Sequence, residues 1–122
     1  MPKVLLVDDS TMIRMILKGL LTQLKVSTIV EAANGKEALE LLRSNPIDLV
    51  LLDLHMPVLD GHGFLQVMRE SELYAALPVV VISSDTDPAQ LDLVKKWNVA
   101  AFVQKPFRLE GLQQALIQAG VL

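Results

Sequence analysis

At 122 residues, with 52% hydrophobic and 20% charged, the chain is sized for one domain with an ordinary core and is too apolar for a disordered tail. The lack of cysteine excludes disulfides and thiolate metal sites and is compatible with the cytoplasm, and a net charge of -3 argues against sequence-independent nucleic-acid binding. No apolar run is long enough to span a bilayer, and the run in the amino-terminal MPKVLLVDDS is too short for a cleavable signal and ends in acids.

The first predicted strand runs Lys3 to Val7 and ends in Asp8-Asp9. Ser10 is a good N-cap for a helix on which Met12, Ile16, Leu17, Leu20, Leu21 and Leu24 recur at helical spacing. Val26 to Glu31 is β-branched and reads as a second strand. Asn34-Gly35 turns the chain into a second helix carrying Ala38, Leu39, Leu41 and Leu42, which stops before Pro46. Leu49 to Leu52 is apolar throughout, the pattern of a central strand buried on both faces, and it carries Asp53 to its carboxyl end before Met56-Pro57 opens a loop. Asp60-Gly61 precedes a third helix with Phe64, Leu65, Val67 and Met68. Pro78 starts a fourth strand, Val79 to Ile82, ending in Ser83-Ser84. Asp87-Pro88 opens a fourth helix, Val99 to Val103 is a fifth strand ending in Gln104-Lys105-Pro106, and a last helix runs from about Leu109 to Gln118 with Gly120 beyond it.

Strict alternation of strand and helix predicts the α/β class: one domain over residues 1–122, a single doubly wound parallel sheet of five strands with five helices on its two faces. Such a sheet brings the carboxyl ends of its strands to one edge, where α/β proteins bind ligands. Asp8, Asp9, Asp53, Ser83 and Lys105 all fall at strand ends, and no polar residue falls inside the strands that carry them, apart from Lys3 at the start of the first. A mere acidic rim with a stray lysine does not explain that distribution. Three carboxylates brought together repel unless a cation sits among them. Oxygen donors without thiolate suit a hard ion, and Mg²⁺ is the natural choice. A carboxylate facing Mg²⁺, an ammonium and a hydroxyl has what it needs to become an acyl phosphate, with Asp53 as the attacking group.

The segments VLLVDDS, LLDLHMPVLDG, VVVISS and FVQKPF, in that order over nearly the whole chain, resemble the receiver domain of two-component response regulators, most of all its stand-alone, chemotaxis-type members. The resemblance implies a flavodoxin-like strand order, 2-1-3-4-5. It implies that Asp53 is the phosphoacceptor, that Asp9 and Asp53 bind Mg²⁺ directly and Asp8 mainly through water, and that the backbone carbonyl of His55 completes the protein ligands. Ser83 matches the switch hydroxyl, Lys105 the family's lysine, Lys105-Pro106 a bond that is usually cis in the family, and Phe102 the aromatic rotamer switch. The phosphoryl group comes from a histidine kinase or phosphotransfer protein, the domain dephosphorylates itself, and the output is a protein partner on the face of the fourth helix, fifth strand and fifth helix. No direct contact with nucleic acid or membrane is implied.

Several positions depart from the common pattern. The His55 imidazole and Asp85 are expected to flank the phosphoryl site and tune the lifetime of the acyl phosphate, while His62 is read as solvated. Phe102 stands where many members have Tyr, so it can swing but has no hydroxyl to donate; a plain core Phe is the equal alternative. Ser84 is read as a small residue lining the site. Trp97-Asn98 replaces a common Ala-Gly: Asn98 suits the left-handed position after a helix, and Trp97 is read first as packed over the end of the core and second as a partner contact. Met12, Met15 and Met68 are read as core or rim.

Other functions weigh less. An Asp-nucleophile phosphohydrolase would place a second acid where His55 stands and would need a cap or substrate pocket. A flavin carrier on the same fold would need a Ser/Thr/Gly-rich phosphate loop where Asp8-Asp9 stand. A receiver that is part of a longer transcriptional regulator is a further alternative, with the start at Met1 and the end soon after Gly120 favouring a complete protein. The expectation is therefore a cytoplasmic phosphoacceptor and not an enzyme with a separate substrate.

Overall fold

A computed structural model describes residues 2–26, 28–54, 59–83, 92, 95–105 and 108–122. The strands are β1 (Lys3–Val7), β2 (Thr28–Ala32), β3 (Leu49–Asp53), β4 (Val79–Ser83) and β5 (Ala101–Gln104), all parallel and in the order β2-β1-β3-β4-β5. Helices α1 (Thr11–Gln23), α2 (Gly35–Ser44) and α3 (Gly61–Glu70) and a C-terminal helix (Leu109–Gln118) complete the framework. The expected start of the fourth helix at Asp87-Pro88 lies outside the described residues, but Asp92, Lys95 and Lys96 have helical backbone. So the doubly wound, flavodoxin-like sheet is as expected, and four of the five expected helices are described over their length. Two strand boundaries shift: β2 begins at Thr28 rather than Val26, and β5 at Ala101 rather than Val99.

Side chains alternate across the sheet with the period of two that a strand imposes. Val4, Leu6, Leu49, Leu51, Val80 and Ile82 face α1 and the C-terminal helix; Leu5, Val7, Val50, Leu52, Val79 and Val81 face α2 and α3. Every residue of β3 and β4 is buried, while the edge strand β2 is partly exposed. That is why β3 and β4 read as unbroken apolar runs.

The starts of α1, α2 and α3 are each closed by a side chain that takes an orphan N–H, whereas Arg108 ahead of the C-terminal helix makes no such bond. Ser10 accepts from Ile13 (3.2 Å), Asn34 from Glu37 (2.9 Å) and Asp60 from Gly63 (2.8 Å). At the end of α1, Lys25 N–H donates to the Thr22 carbonyl and Val26 N–H to the Leu21 carbonyl, with Lys25 at φ 65°. This is the turn in which glycine is usual, because a Cβ crowds the backbone there. Asn98 takes the left-handed position expected for it, at φ 57°. Trp97 is half-buried and packs against the α2–α3 side of the core, with the Lys96 ammonium 5.5 Å from its ring.

Two methionines differ from expectation. Met68 is core, but Met12 and Met15 are 70% and 67% exposed, and Ile16 is exposed beside them. A helix turns about 100° per residue, so the stripe through Leu17 and Leu21 that meets the sheet turns Met12 and Met15 outward.

Arg69, which sequence patterning did not single out, gathers the opposite end of the sheet. Its guanidinium donates to the carbonyls of Tyr74 (3.0 Å), Ala75 (3.1 Å) and Leu77 (2.8 Å) ahead of β4, and of Trp97 (2.8 Å) and Asn98 (3.2 Å) ahead of β5. Burial lowers its pKa from the ordinary arginine value. Arg69→Ala is expected to cost on the order of 2–4 kcal/mol, read as a lower urea midpoint with an unchanged slope. Lys25→Gly is expected to raise the midpoint, by on the order of 1 kcal/mol in stability.

Candidate functional site

The register of the sheet decides what meets at its carboxyl edge. Asp53 ends β3 opposite Ile82, so Ser83 projects one residue further along β4, opposite Gln104, and Lys105 follows immediately on β5. The Lys105 N–H donates to the Ser83 carbonyl at 2.9 Å, extending the ladder by one bond. On the other side of β3, Asp8 N–H donates to the Ala32 carbonyl at 3.1 Å and prolongs the β1–β2 pairing in the same way. Residues far apart along the chain thus arrive together on extended backbone.

The side chains converge. Asp8, Asp9 and Asp53 each offer a carboxylate oxygen, and the three lie within 4.8 Å of one another. Asp8 is 2% exposed and Asp53 6%, while Asp9 stands open to solvent. The Lys105 ammonium sits 3.3 Å from Asp8 Oδ2 and 3.8 Å from Asp53 Oδ1. The other Asp8 oxygen accepts from the Ser10 N–H at 2.8 Å. One ammonium against three carboxylates leaves a net negative pocket, two of whose charges are held away from water. Such a group of hard oxygen donors, with one member accessible, fits a divalent cation of the Mg²⁺ kind.

Of the residues singled out in the sequence, Asp8, Asp9, Asp53 and Lys105 are brought to one place, with Ser83 fully buried at the adjoining strand end. Phe102 pairs in register with Val81 and is half-buried against the α2–α3 side of the core. His55, Ser84, Asp85 and Pro106 lie outside the described residues. His62 corrects an expectation: it is half-buried, with its Nδ1 shielded from water. It stands one turn before Leu65 on the flank of the face that α3 buries, which solvation of a loop-proximal His did not anticipate.

Two groups of residues that shape the site escaped the reading of the sequence. The first is glycine as a close-approach residue. Asp60-Gly61 reads as a turn, yet Gly61 is the first residue of α3 and donates its N–H to the Leu54 carbonyl at 3.0 Å. A Cβ there would stand 2.6 Å from both the Asp53 carbonyl oxygen and Leu54 Cα. Gly35 does the same for α2, its N–H on the Leu59 carbonyl at 3.0 Å. The second is Arg14, whose spacing on α1 gave no sign that it turns back toward Asp8.

Gly61→Ala must push backbone against backbone at the phosphoacceptor candidate. It is expected to cost roughly 1–3 kcal/mol, seen in urea unfolding, because neither atom it meets belongs to a flexible side-chain end.

Comparisons with known proteins agree with this geometry. Residues 4–117 match the family described as the response regulator receiver domain. The chain is 36% identical over 115 residues to the probable C4-dicarboxylate response regulator DctR of Bacillus subtilis, covering 93% of this chain and 50% of that protein. It is 32% identical over 114 residues to the chemotaxis protein CheY of Pseudomonas aeruginosa, covering 93% of this chain and 92% of that one. The crystallised chemotaxis protein CheY4 of Vibrio cholerae superposes with a TM-score of 0.89 at 31% identity over 98% of each chain. This chain therefore spans about half the length of one relative and nearly all of the others. Among the described residues no helix is long and apolar enough to cross a membrane.

Proposed function

Because the chain belongs to the response regulator receiver domain family, we propose that it is a phosphorylation-controlled signalling switch whose phosphoacceptor is Asp53. One observation supports this above the rest: three carboxylates within 4.8 Å, with the Lys105 ammonium 3.3 to 3.8 Å from two of them.

Asp8, Asp9 and Asp53 would hold Mg²⁺, together with the carbonyl of His55. When bound, that ion supplies positive charge to a transferring phosphoryl group. The donor is a phosphohistidine on a kinase or phosphotransfer protein. A carboxylate oxygen of Asp53 attacks phosphorus in line; the P–O bond forms as the P–N bond breaks, and the imidazole leaves with the electron pair and takes up a proton. Lys105 turns from the carboxylates it pairs with to the phosphoryl oxygens, and the Ser83 hydroxyl, buried at the end of β4, donates to one of them. Burial keeps bulk water from Asp53, so the acyl phosphate outlasts the encounter. Water later cleaves it at the same site, at a rate that His55 and Asp85 would tune. The protein so acts on its own phosphoryl group and not on a separate substrate.

The output follows from the two ends of β4 and β5. Their starts are tied down by Arg69, so motion of Ser83 and Phe102 would be felt at the carboxyl edge and along β5. A partner protein that reads this change, on the side of β5 and the helices flanking it in sequence, would complete the switch.

Incubation with acetyl phosphate and Mg²⁺, followed by intact mass, tests the reading. One phosphate adduct is expected, lost on chelation of the metal and absent in Asp53→Asn; an undiminished adduct in that variant moves the phosphoacceptor elsewhere.

A further inference from the structure

We propose that Arg14 is a positioning residue for the acidic pair, holding the peptide that joins Asp8 to Asp9 so that both carboxylates face the metal site. This rests on the reading that Asp8, Asp9 and Asp53 hold Mg²⁺.

Arg14 lies on the second turn of α1, and its side chain is only 14% exposed. Its three nitrogens reach three segments. Nη1 donates to the backbone carbonyl of Asp8, Nε donates to Glu31 Oε1 of β2 at 3.2 Å, and Nη2 reaches Thr11 Oγ1 at 3.5 Å. Glu31 is held from its other oxygen by Lys18, also at 3.2 Å. The guanidinium is therefore fixed by an anchored carboxylate on one side and grips β1's continuation on the other.

What it grips is the informative part. The Asp8 carbonyl belongs to the planar unit that ends at the Asp9 Cα, so its direction sets both the ψ of Asp8 and the φ of Asp9. The Asp8 N–H is already tied to Ala32, and its carboxylate to Ser10 and Lys105. With Arg14 on the carbonyl, every polar group of Asp8 is engaged. Asp9 is exposed, so its placement beside Asp53 depends on the peptide before it. A lysine cannot do this job, since a single ammonium on a flexible stem does not present two donors in fixed, diverging directions. Groups that orient metal ligands commonly matter tenfold or more to affinity without touching the ion.

A tether that merely joins α1 to β2 would lower stability and leave the metal site alone, so the test measures both. Metal-free wild type, Arg14→Met, Arg14→Lys and Glu31→Ala are titrated with Mg²⁺ by calorimetry and unfolded in urea. Arg14→Met is expected to weaken Mg²⁺ binding about tenfold, Arg14→Lys to stay nearly as weak, and Glu31→Ala, which removes the acceptor on one side of the fork, to lose about threefold. Wild-type affinity in Arg14→Met with a lowered urea midpoint overturns the inference, as does full rescue by lysine. Should Arg14→Met not fold, the solvent-facing Glu31→Ala decides by its Mg²⁺ affinity alone, weaker binding supporting the clamp and unchanged binding ending it. A wild type that binds no Mg²⁺ removes the metal reading and this inference with it, whereas variants equal to a binding wild type remove only the inference.

Discussion

Three like charges crowded at one edge of an apolar sheet are the constraint around which this molecule is arranged. Left alone, the carboxylates of Asp8, Asp9 and Asp53 would repel one another. They are kept together because Asp53 ends β3 and Asp8 and Asp9 are the first and second residues after β1, strands whose places are set by packing and backbone hydrogen bonds. Lys105 relieves part of the repulsion and reaches the site only because β5 lies beside β4 in this register. The remaining negative charge is what a divalent cation, and through it a phosphoryl group, would answer.

The two ends of the sheet do different work. At the carboxyl edge the chemistry-bearing side chains share a small volume, and glycines at the starts of α2 and α3 let helix backbone come down onto the loop after β3. At the amino edge, Arg69 collects five carbonyls from two loops and so fixes where β4 and β5 begin. A tied-down base beneath a charged rim is a sound arrangement for a switch, since movement at one end is not absorbed at the other.

Positioning at the rim is layered. Asp53 and Asp8 are buried and ordered by their own surroundings, while the open carboxylate of Asp9 depends on a peptide held from behind. The exposed methionines of α1 begin just beyond that peptide, so the helix that carries Arg14 also presents an apolar outer face beside the pocket.

Much of this was legible in the chain itself. Strand and helix type followed from the period of the apolar residues, and the sheet's class from their alternation, because both are local consequences of where a side chain points along its own element. The unbroken apolar runs of β3 and β4 announced burial on both faces. That Asp8, Asp9, Asp53, Ser83 and Lys105 fall at strand ends was likewise visible, and a parallel sheet leaves strand ends only one edge to share. Other facts needed the folded molecule. The outward turn of Met12 and Met15, the inward flank taken by His62, the glycine contact against Asp53, the carbonyl cage of Arg69 and the reach of Arg14 to Asp8 all depend on which neighbour occupies the adjoining space. Periodicity specifies a side chain's direction on its own element; only the tertiary structure decides what stands there to meet it.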